Sequence, residues 1–149
     1  MEKITELPDK SYGSSAPDTS QEPYFNLRWY GFESEHTSET SNAKIDYEFF
    51  AGFTQIIARM ALSLDRVVLN VPNGSKDGSY PFVTMDEHEG GKVGIIPGII
   101  IGGTNIGSLN GDVDLNNING RCIVSFSGTA GGFNLRKGYF NFPYPRKSR

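Results

Sequence analysis

Four ionisable side chains crowd the segment TMDEHEGG, residues 84–91, and they are the first candidates for chemistry. In an extended chain, the side chains of Asp86 and His88 lie on one face of the strand. Together with Glu89 and a distant ligand such as His36, they could hold a divalent metal ion. The chain has only two histidines, so an acidic turn after a strand is the preferred interpretation. A metal-dependent enzyme is the third hypothesis for function.

The glycine-rich segment GKVGIIPGIIIGGTNIG, residues 91–107, has the spacing of a phosphate-binding loop at Gly98 and Gly103. A Thr-Asn pair follows, where such a loop requires Lys and then Ser or Thr. A phosphate and its Mg²⁺ would therefore lack their ligands. The segment is instead predicted to be buried β structure, which Pro97 divides into two short strands.

The segment NGDVDLNNING, residues 110–120, has the acidic and amide side chains of a calcium loop. An EF-hand requires Gly at its sixth position and Glu at its twelfth, where this chain has Asn117 and Ile123. Turns around a strand, with Val113 and Leu115 pointing inward, are the preferred interpretation. No cofactor is predicted.

Aromatic rings in the run YFNLRWYGF, residues 24–32, are candidates for stacking on a sugar or another small ligand. The run alternates like a strand, with Trp29 on one side and with Tyr24 and Tyr30 on the other. These three residues are the predicted ligand-binding residues of the second hypothesis, a β module that binds a glycan or a small ligand.

Charge is distributed unevenly along the chain, whose formal net charge is −3. Residues 1–50 hold ten acidic and four basic side chains, whereas residues 121–149 hold six basic side chains and no acidic one. This asymmetry predicts that an acidic N-terminal arm contacts the basic C-terminal tail of a neighbouring copy. The predicted assembly residues of the tail are Arg136, Lys137, Arg146, Lys147 and Arg149.

Rings and basic residues also alternate in the C-terminal segment RKGYFNFPYPRKSR, residues 136–149, as in proteins that bind single-stranded nucleic acid. The whole chain is acidic, with a pI near 5.4, and a last strand with a solvated basic end is preferred. Nucleic acid is therefore not a predicted partner.

The composition predicts two regions, a flexible acidic arm at residues 1–22 and a single β-rich domain at residues 23–149. The polar segment up to Lys44 is predicted to be a loop. Apolar residues then recur at helical spacing, which predicts one amphipathic helix from Tyr47 to Leu64. The fold class is therefore predicted to be α+β and β-rich, an antiparallel sandwich or partly closed barrel of about seven strands with one amphipathic helix.

Two Asx-Gly dipeptides, at residues 73–74 and 77–78, predict a hairpin after the helix. Its strands are predicted from Arg66 to Val71 and from Tyr80 to Met85. Further on, Cys122 alternates with Val124 and Phe126 and is predicted to be an inert core thiol.

Function is predicted to be non-catalytic, because no general base can be assigned beside any nucleophilic side chain in the sequence. The first hypothesis is a structural or partner-binding protein that acts as a homo-oligomer, with a virion component as one form of it. The partners predicted are another copy of the chain or a second protein. The first ten residues lack the apolar run of a signal peptide and no stretch could span a membrane, so a cytoplasmic location is expected, with a virion as the alternative.

Overall fold

Strands dominate the computed structural model, which describes residues 23–50, 52–60, 63–118 and 121–143. Eleven strands and one short helix, α1, lie in these residues. In chain order the elements are β1 (Tyr24–Gly31), β2 (Ser34–Thr40), β3 (Ala43–Phe50), β4 (Phe53–Arg59), β5 (Arg66–Pro72), β6 (Gly78–Pro81), α1 (Met85–Glu89), β7 (Ile96–Ile101), β8 (Thr104–Ile106), β9 (Asn110–Ile118), β10 (Arg121–Ala130) and β11 (Phe133–Pro143).

The strands form two sheets, and every strand pair within them is antiparallel. The six-stranded sheet has the order β2-β1-β11-β10-β9-β6, and the five-stranded sheet has the order β3-β4-β5-β7-β8. Neither sheet closes on itself among these strands. The β-rich prediction is therefore confirmed, as two open antiparallel sheets with a short helix.

The two sheets share one apolar core, to which each contributes the inward side of its strands. Phe25 and Leu27 of β1 are completely buried, as are Val67 and Leu69 of β5 in the other sheet. Buried side chains alternate with more accessible ones along each of these strands because successive residues of a strand point to opposite faces. The same alternation buries Cys122, as the sequence predicted.

The predicted helix from Tyr47 to Leu64 is wrong, because β3, a turn at Gly52 and β4 occupy most of that segment. Ile56 and Ile57 are both buried although they are consecutive residues of β4. Ile56 faces the shared core, and Ile57 points to the opposite side. A strand that is buried on both faces shows apolar residues at mixed spacings, which include those of a helix.

The predicted hairpin is half right, since its first strand exists as β5 but its second strand has a different partner. The segment after the turn at Gly74 crosses to the other sheet, where β6 pairs with β9. β5 pairs instead with β4 and with β7. Local turn residues specify that the chain reverses, but the strand that it then pairs with depends on the whole core.

Two other sequence expectations are corrected by the strand pairing. The polar segment that ends at Lys44 contains an edge strand, β2, which pairs along its length with β1. Pro97 does not divide its segment, since β7 runs continuously from Ile96 to Ile101. Pro97 pairs with Leu69 of β5 on one side. β8 pairs only with the residues from Ile99 onward, so on the other side Pro97 has no ladder partner among the described residues, and such a position tolerates proline.

Candidate ligand-binding face

The outward side of the six-stranded sheet, here called the polar face, carries hydroxyl, amide, carboxylate and tyrosine side chains. Cross-strand pairing aligns one row of them across all six strands. From β6 to β2 this row consists of Ser79, Asp114, Ser125, Tyr139, Asn26 and Glu39. Because adjacent strands lie about 4.8 Å apart, a ligand that extends across the strands could contact several of these side chains at once.

A second row lies next to the first and ends in an exposed ring. It contains Asn116, Ile123, Asn141 and Tyr24, in the order β9, β10, β11 and β1. The Tyr24 side chain is 42% exposed, and its ring meets that of Tyr139 edge to face, with centroids 6.4 Å apart. The two rings together form an apolar surface beside the polar groups of the two rows.

A groove of about 520 Å³ opens at the β6 end of these rows, between β6, β9 and β10. Its polar lining includes Ser79, Asp114, Asn116 and Ser125. The Asp77 carboxylate closes one end, where it accepts hydrogen bonds from the Asn117 backbone N–H at 3.1 Å and from its Nδ2 at 2.8 Å. The volume lies within the usual range for small-molecule sites, about 300–1,000 Å³.

Tyr139 is held in place by a chain of hydrogen bonds that starts at a buried arginine. Arg121 is 5% exposed, and its Nε donates to Asn141 Oδ1 at 2.7 Å. Asn141 Nδ2 in turn donates to the Tyr139 hydroxyl oxygen at 3.0 Å. These contacts fix the Tyr139 hydroxyl before a ligand arrives, so that less conformational entropy is lost on binding.

Tyr30, one of the predicted ligand residues, lies near the opposite end of the polar face, where strand β2 begins. The Arg136 guanidinium lies 5.6 Å from the centroid of its ring. Arg136 also pairs with the Glu35 carboxylate at 2.6 Å. The register between β1 and β11 shifts at this point, and Arg136 is the extra residue that the resulting bulge leaves unpaired. Tyr30 therefore has a cation beside its ring, whereas Tyr24 is free to meet a ligand on its exposed side.

Trp29 does not share this surface. Its side chain is 4% exposed and faces the core, where its ring stacks on that of His36 at a centroid distance of 4.1 Å. Its indole N–H donates to Ser38 Oγ at 3.1 Å. The prediction that Trp29 offers a stacking surface to a ligand is thus corrected, because the ring is buried. The ring that lies beside Tyr24 is that of Tyr139.

The acidic cluster at Asp86, His88 and Glu89 is helical rather than extended. Thr84 caps α1, since its Oγ1 accepts a hydrogen bond from the Glu87 N–H at 3.1 Å and its own N–H donates to the Glu87 carboxylate at 2.9 Å. The His88 ring packs against Phe53, with centroids 5.0 Å apart.

Because α1 is helical, Asp86 and His88 do not share the strand face on which the metal hypothesis rested. Within the described ranges, no three His, Cys, Asp or Glu side chains are arranged to hold a metal ion.

The Glu87 carboxyl group yields a pH prediction. The hydrogen bond from the Thr84 backbone N–H, helped by Lys92, lowers the pKa of Glu87 below its ordinary value. We expect a pH titration followed by NMR to show this lowered pKa, and Lys92→Ala to raise it only part of the way back, because the hydrogen bond is the larger cause. The stabilisation from the ionised group is complete above the ordinary pKa and is lost as the pH falls through the lowered one. Full restoration of the ordinary value in Lys92→Ala would contradict this assignment.

The predicted assembly residues lie in two places. Arg136 and Lys137 are exposed on β11, and Arg136 already has an acidic partner within its own chain. Arg146, Lys147 and Arg149 lie outside the described residues, as does the acidic arm at residues 1–22. The predicted contact between arm and tail stays a prediction.

Sequence reasoning missed Asp114, Ser125, Tyr139 and Asn141 as members of one surface. A partial signal existed, since the alternation in β10 already placed Ser125 on the outward side. The sequence does not predict the order of β9, β10, β11 and β1 in the sheet, and this order brings the four residues together.

Comparison of the chain with protein-family models, with curated proteins and with solved structures yields no match. No helix within the described ranges is long and apolar enough to cross a membrane.

Proposed function

We propose that this protein is a non-catalytic β-sandwich module that binds a glycan across the polar face. The observation that carries the proposal is the alignment of the groove at Asp114 and Ser125 with the ring pair of Tyr139 and Tyr24. A sugar presents C–H groups that pack on aromatic rings, and hydroxyl groups that exchange hydrogen bonds with carboxylate, amide and hydroxyl side chains. Aromatic rings and hydrogen-bonding side chains lie side by side on this surface.

Glycan binding is preferred to the other two hypotheses on structural grounds. For assembly through the arm and tail, the described residues show only that Arg136 has an acidic partner in its own chain. The metal-dependent enzyme would need Asp86 and His88 on one face, which the helical geometry of α1 does not supply. Self-association, a virion component and a cytoplasmic or virion location stay predictions.

Calorimetric titration of the full-length protein with a panel of neutral and acidic oligosaccharides tests the proposal. We expect Asp114→Asn and Tyr24→Ala each to weaken binding by about 1–3 kcal/mol, through the loss of a charged hydrogen bond and of a ring contact. Both side chains are exposed, so neither change should alter the thermal unfolding midpoint much.

Two matched variants serve as controls. Asp112→Asn removes the same charge from the same strand outside the groove lining, and Tyr30→Ala removes a tyrosine from the other end of the polar face. Neither is expected to weaken binding. If the wild-type protein binds no oligosaccharide of the panel at millimolar concentration, or if the controls lose as much affinity as the test variants, the proposal is wrong.

A further inference from the structure

Two positive side chains lie directly opposite each other near the centre of the polar face. Arg28 on β1 pairs in register with Lys137 on β11, and both side chains are exposed. Directly opposed residues of antiparallel strands have their Cβ atoms about 4.5–5.5 Å apart, and like charges in that position repel.

No carboxylate within the described ranges relieves this repulsion by pairing with either side chain. The ion pair on this face joins Arg136 to Glu35, and neither Arg28 nor Lys137 takes part in it. On its other side Arg28 is opposed by Thr37, which carries no charge. The position of this cation pair beside the candidate glycan site, and not its repulsion alone, distinguishes it from the similarly opposed pair Arg59 and Arg66 in the other sheet.

The two cations adjoin the rows that form the candidate glycan site. Arg28 lies two residues from Asn26 on the same side of β1, and Lys137 lies two residues from Tyr139 on β11. Side chains two residues apart on a strand are separated by about 6.8 Å. A ligand that packs on Tyr139 can therefore present a negative group to both Arg28 and Lys137 without leaving the polar face.

We infer that Arg28 and Lys137 form an anion subsite, which takes a negatively charged group of an acidic glycan. The inference rests on the proposed function and adds the chemical class of the ligand. A carboxylate or a sulfate group on a sugar has the required charge and can accept hydrogen bonds from guanidinium and ammonium groups together.

The surrounding charges favour an acidic glycan over a nucleic acid. Asp112 and Asp114 on β9 lie to one side of the two cations, and Glu35 and Glu39 on β2 lie to the other. A nucleic acid carries a phosphate on every nucleotide and would bring negative charge close to these acids. A glycan in which charged and uncharged groups are spaced apart can place its anion between them.

The test compares four probes on the full-length protein at low salt: oligogalacturonate, sulfated dextran, neutral dextran and oligothymidylate. We expect at least one of the two anionic glycans to bind more tightly than neutral dextran, and the double variant R28Q/K137Q to weaken that binding about tenfold. Raising the salt to about 1 M shortens the screening length to about 3 Å and should remove the advantage of the anionic glycan. The comparison of the carboxylated with the sulfated probe identifies the anion.

The double variant R59Q/R66Q is the matched control. Arg59 and Arg66 are also exposed and directly opposed, but they lie in the five-stranded sheet. We expect this variant to bind the anionic glycan as the wild type does. The unfolding midpoint of R28Q/K137Q should not fall, because the change relieves a repulsion; weaker binding without lower stability separates a binding role from a structural one.

The possible results separate the inference from the proposed function. Equal binding of neutral and anionic glycans, or an unchanged affinity in R28Q/K137Q, overturns the anion subsite and leaves glycan binding intact. Failure to bind any glycan overturns both. Tight binding of oligothymidylate that is lost in R28Q/K137Q would make the ligand a nucleic acid and would also overturn the glycan assignment.

Discussion

Phe140→Ala is expected to lower the free energy of unfolding by about 3–5 kcal/mol, the usual range for truncation of a buried phenylalanine. Phe140 is completely buried, and its ring centroid lies 4.6 Å from that of Phe25 and 6.3 Å from that of Phe126. Truncation would therefore leave a cavity between three adjacent strands, β1, β11 and β10. Chemical denaturation followed by circular dichroism measures the change.

Phe32→Ala is the matched control for this prediction. Phe32 lies in the turn between β1 and β2 and is 62% exposed, with a φ of 53°. Removal of an exposed ring is expected to change stability by about 1 kcal/mol at most. If Phe140→Ala is no more destabilising than Phe32→Ala, the packing of the shared core is not as described.

Gly111→Ala is expected to destabilise the protein by about 3 kcal/mol or more, since it forces a methyl group against backbone atoms. A Cβ at Gly111 would collide with the Ser127 carbonyl oxygen and lie 2.5 Å from the Gly128 Cα. Overpacking of a core usually costs about 1–3 kcal/mol. A larger cost is expected here because the obstacle is the neighbouring strand itself, which cannot move without disrupting the pairing of β9 with β10.

Gly107→Ala provides the comparison, because a Cβ at that position would have no atom within 4 Å. Gly107 is exposed and lies between β8 and β9, and its replacement is expected to change stability by about 0.5 kcal/mol at most. Equal unfolding midpoints for the two alanine variants would mean that β9 and β10 do not approach as closely as the structure has them.

The β-rich character of the fold could be predicted because it depends on local alternation. In β10, Cys122, Val124 and Phe126 recur every second residue, and such a pattern fits a strand with one buried face. β4 could not be recognised in the same way. Phe53 packs with Val83 and Ile96 in a second apolar cluster outside the shared core, so that β4 is buried on both faces and its apolar spacing imitates a helix.

Part of the candidate site could also be predicted from the sequence, since Tyr24 is among the predicted ligand-stacking rings and lies on the opposite side of β1 from Trp29. Its companions were not, because Tyr139 is far from it along the chain and comes beside it only through the pairing of β1 with β11. The bulge at Arg136, whose side chain pairs with Glu35, likewise depends on the register between β1 and β11.

The amino-acid sequence by itself determined which side chains of β1 and β10 point inward and that the chain turns at Gly74, because both follow from the pattern and the backbone preferences of adjacent residues. Only the tertiary structure decided which strands are neighbours. That order depends on how two sheets bury their apolar sides against each other, and it brings Asp114, Tyr139 and Tyr24 onto one surface and opposes Arg28 to Lys137. Contacts between residues distant in the chain depend on the free energy of packing the whole core. That free energy is not a property of any single segment.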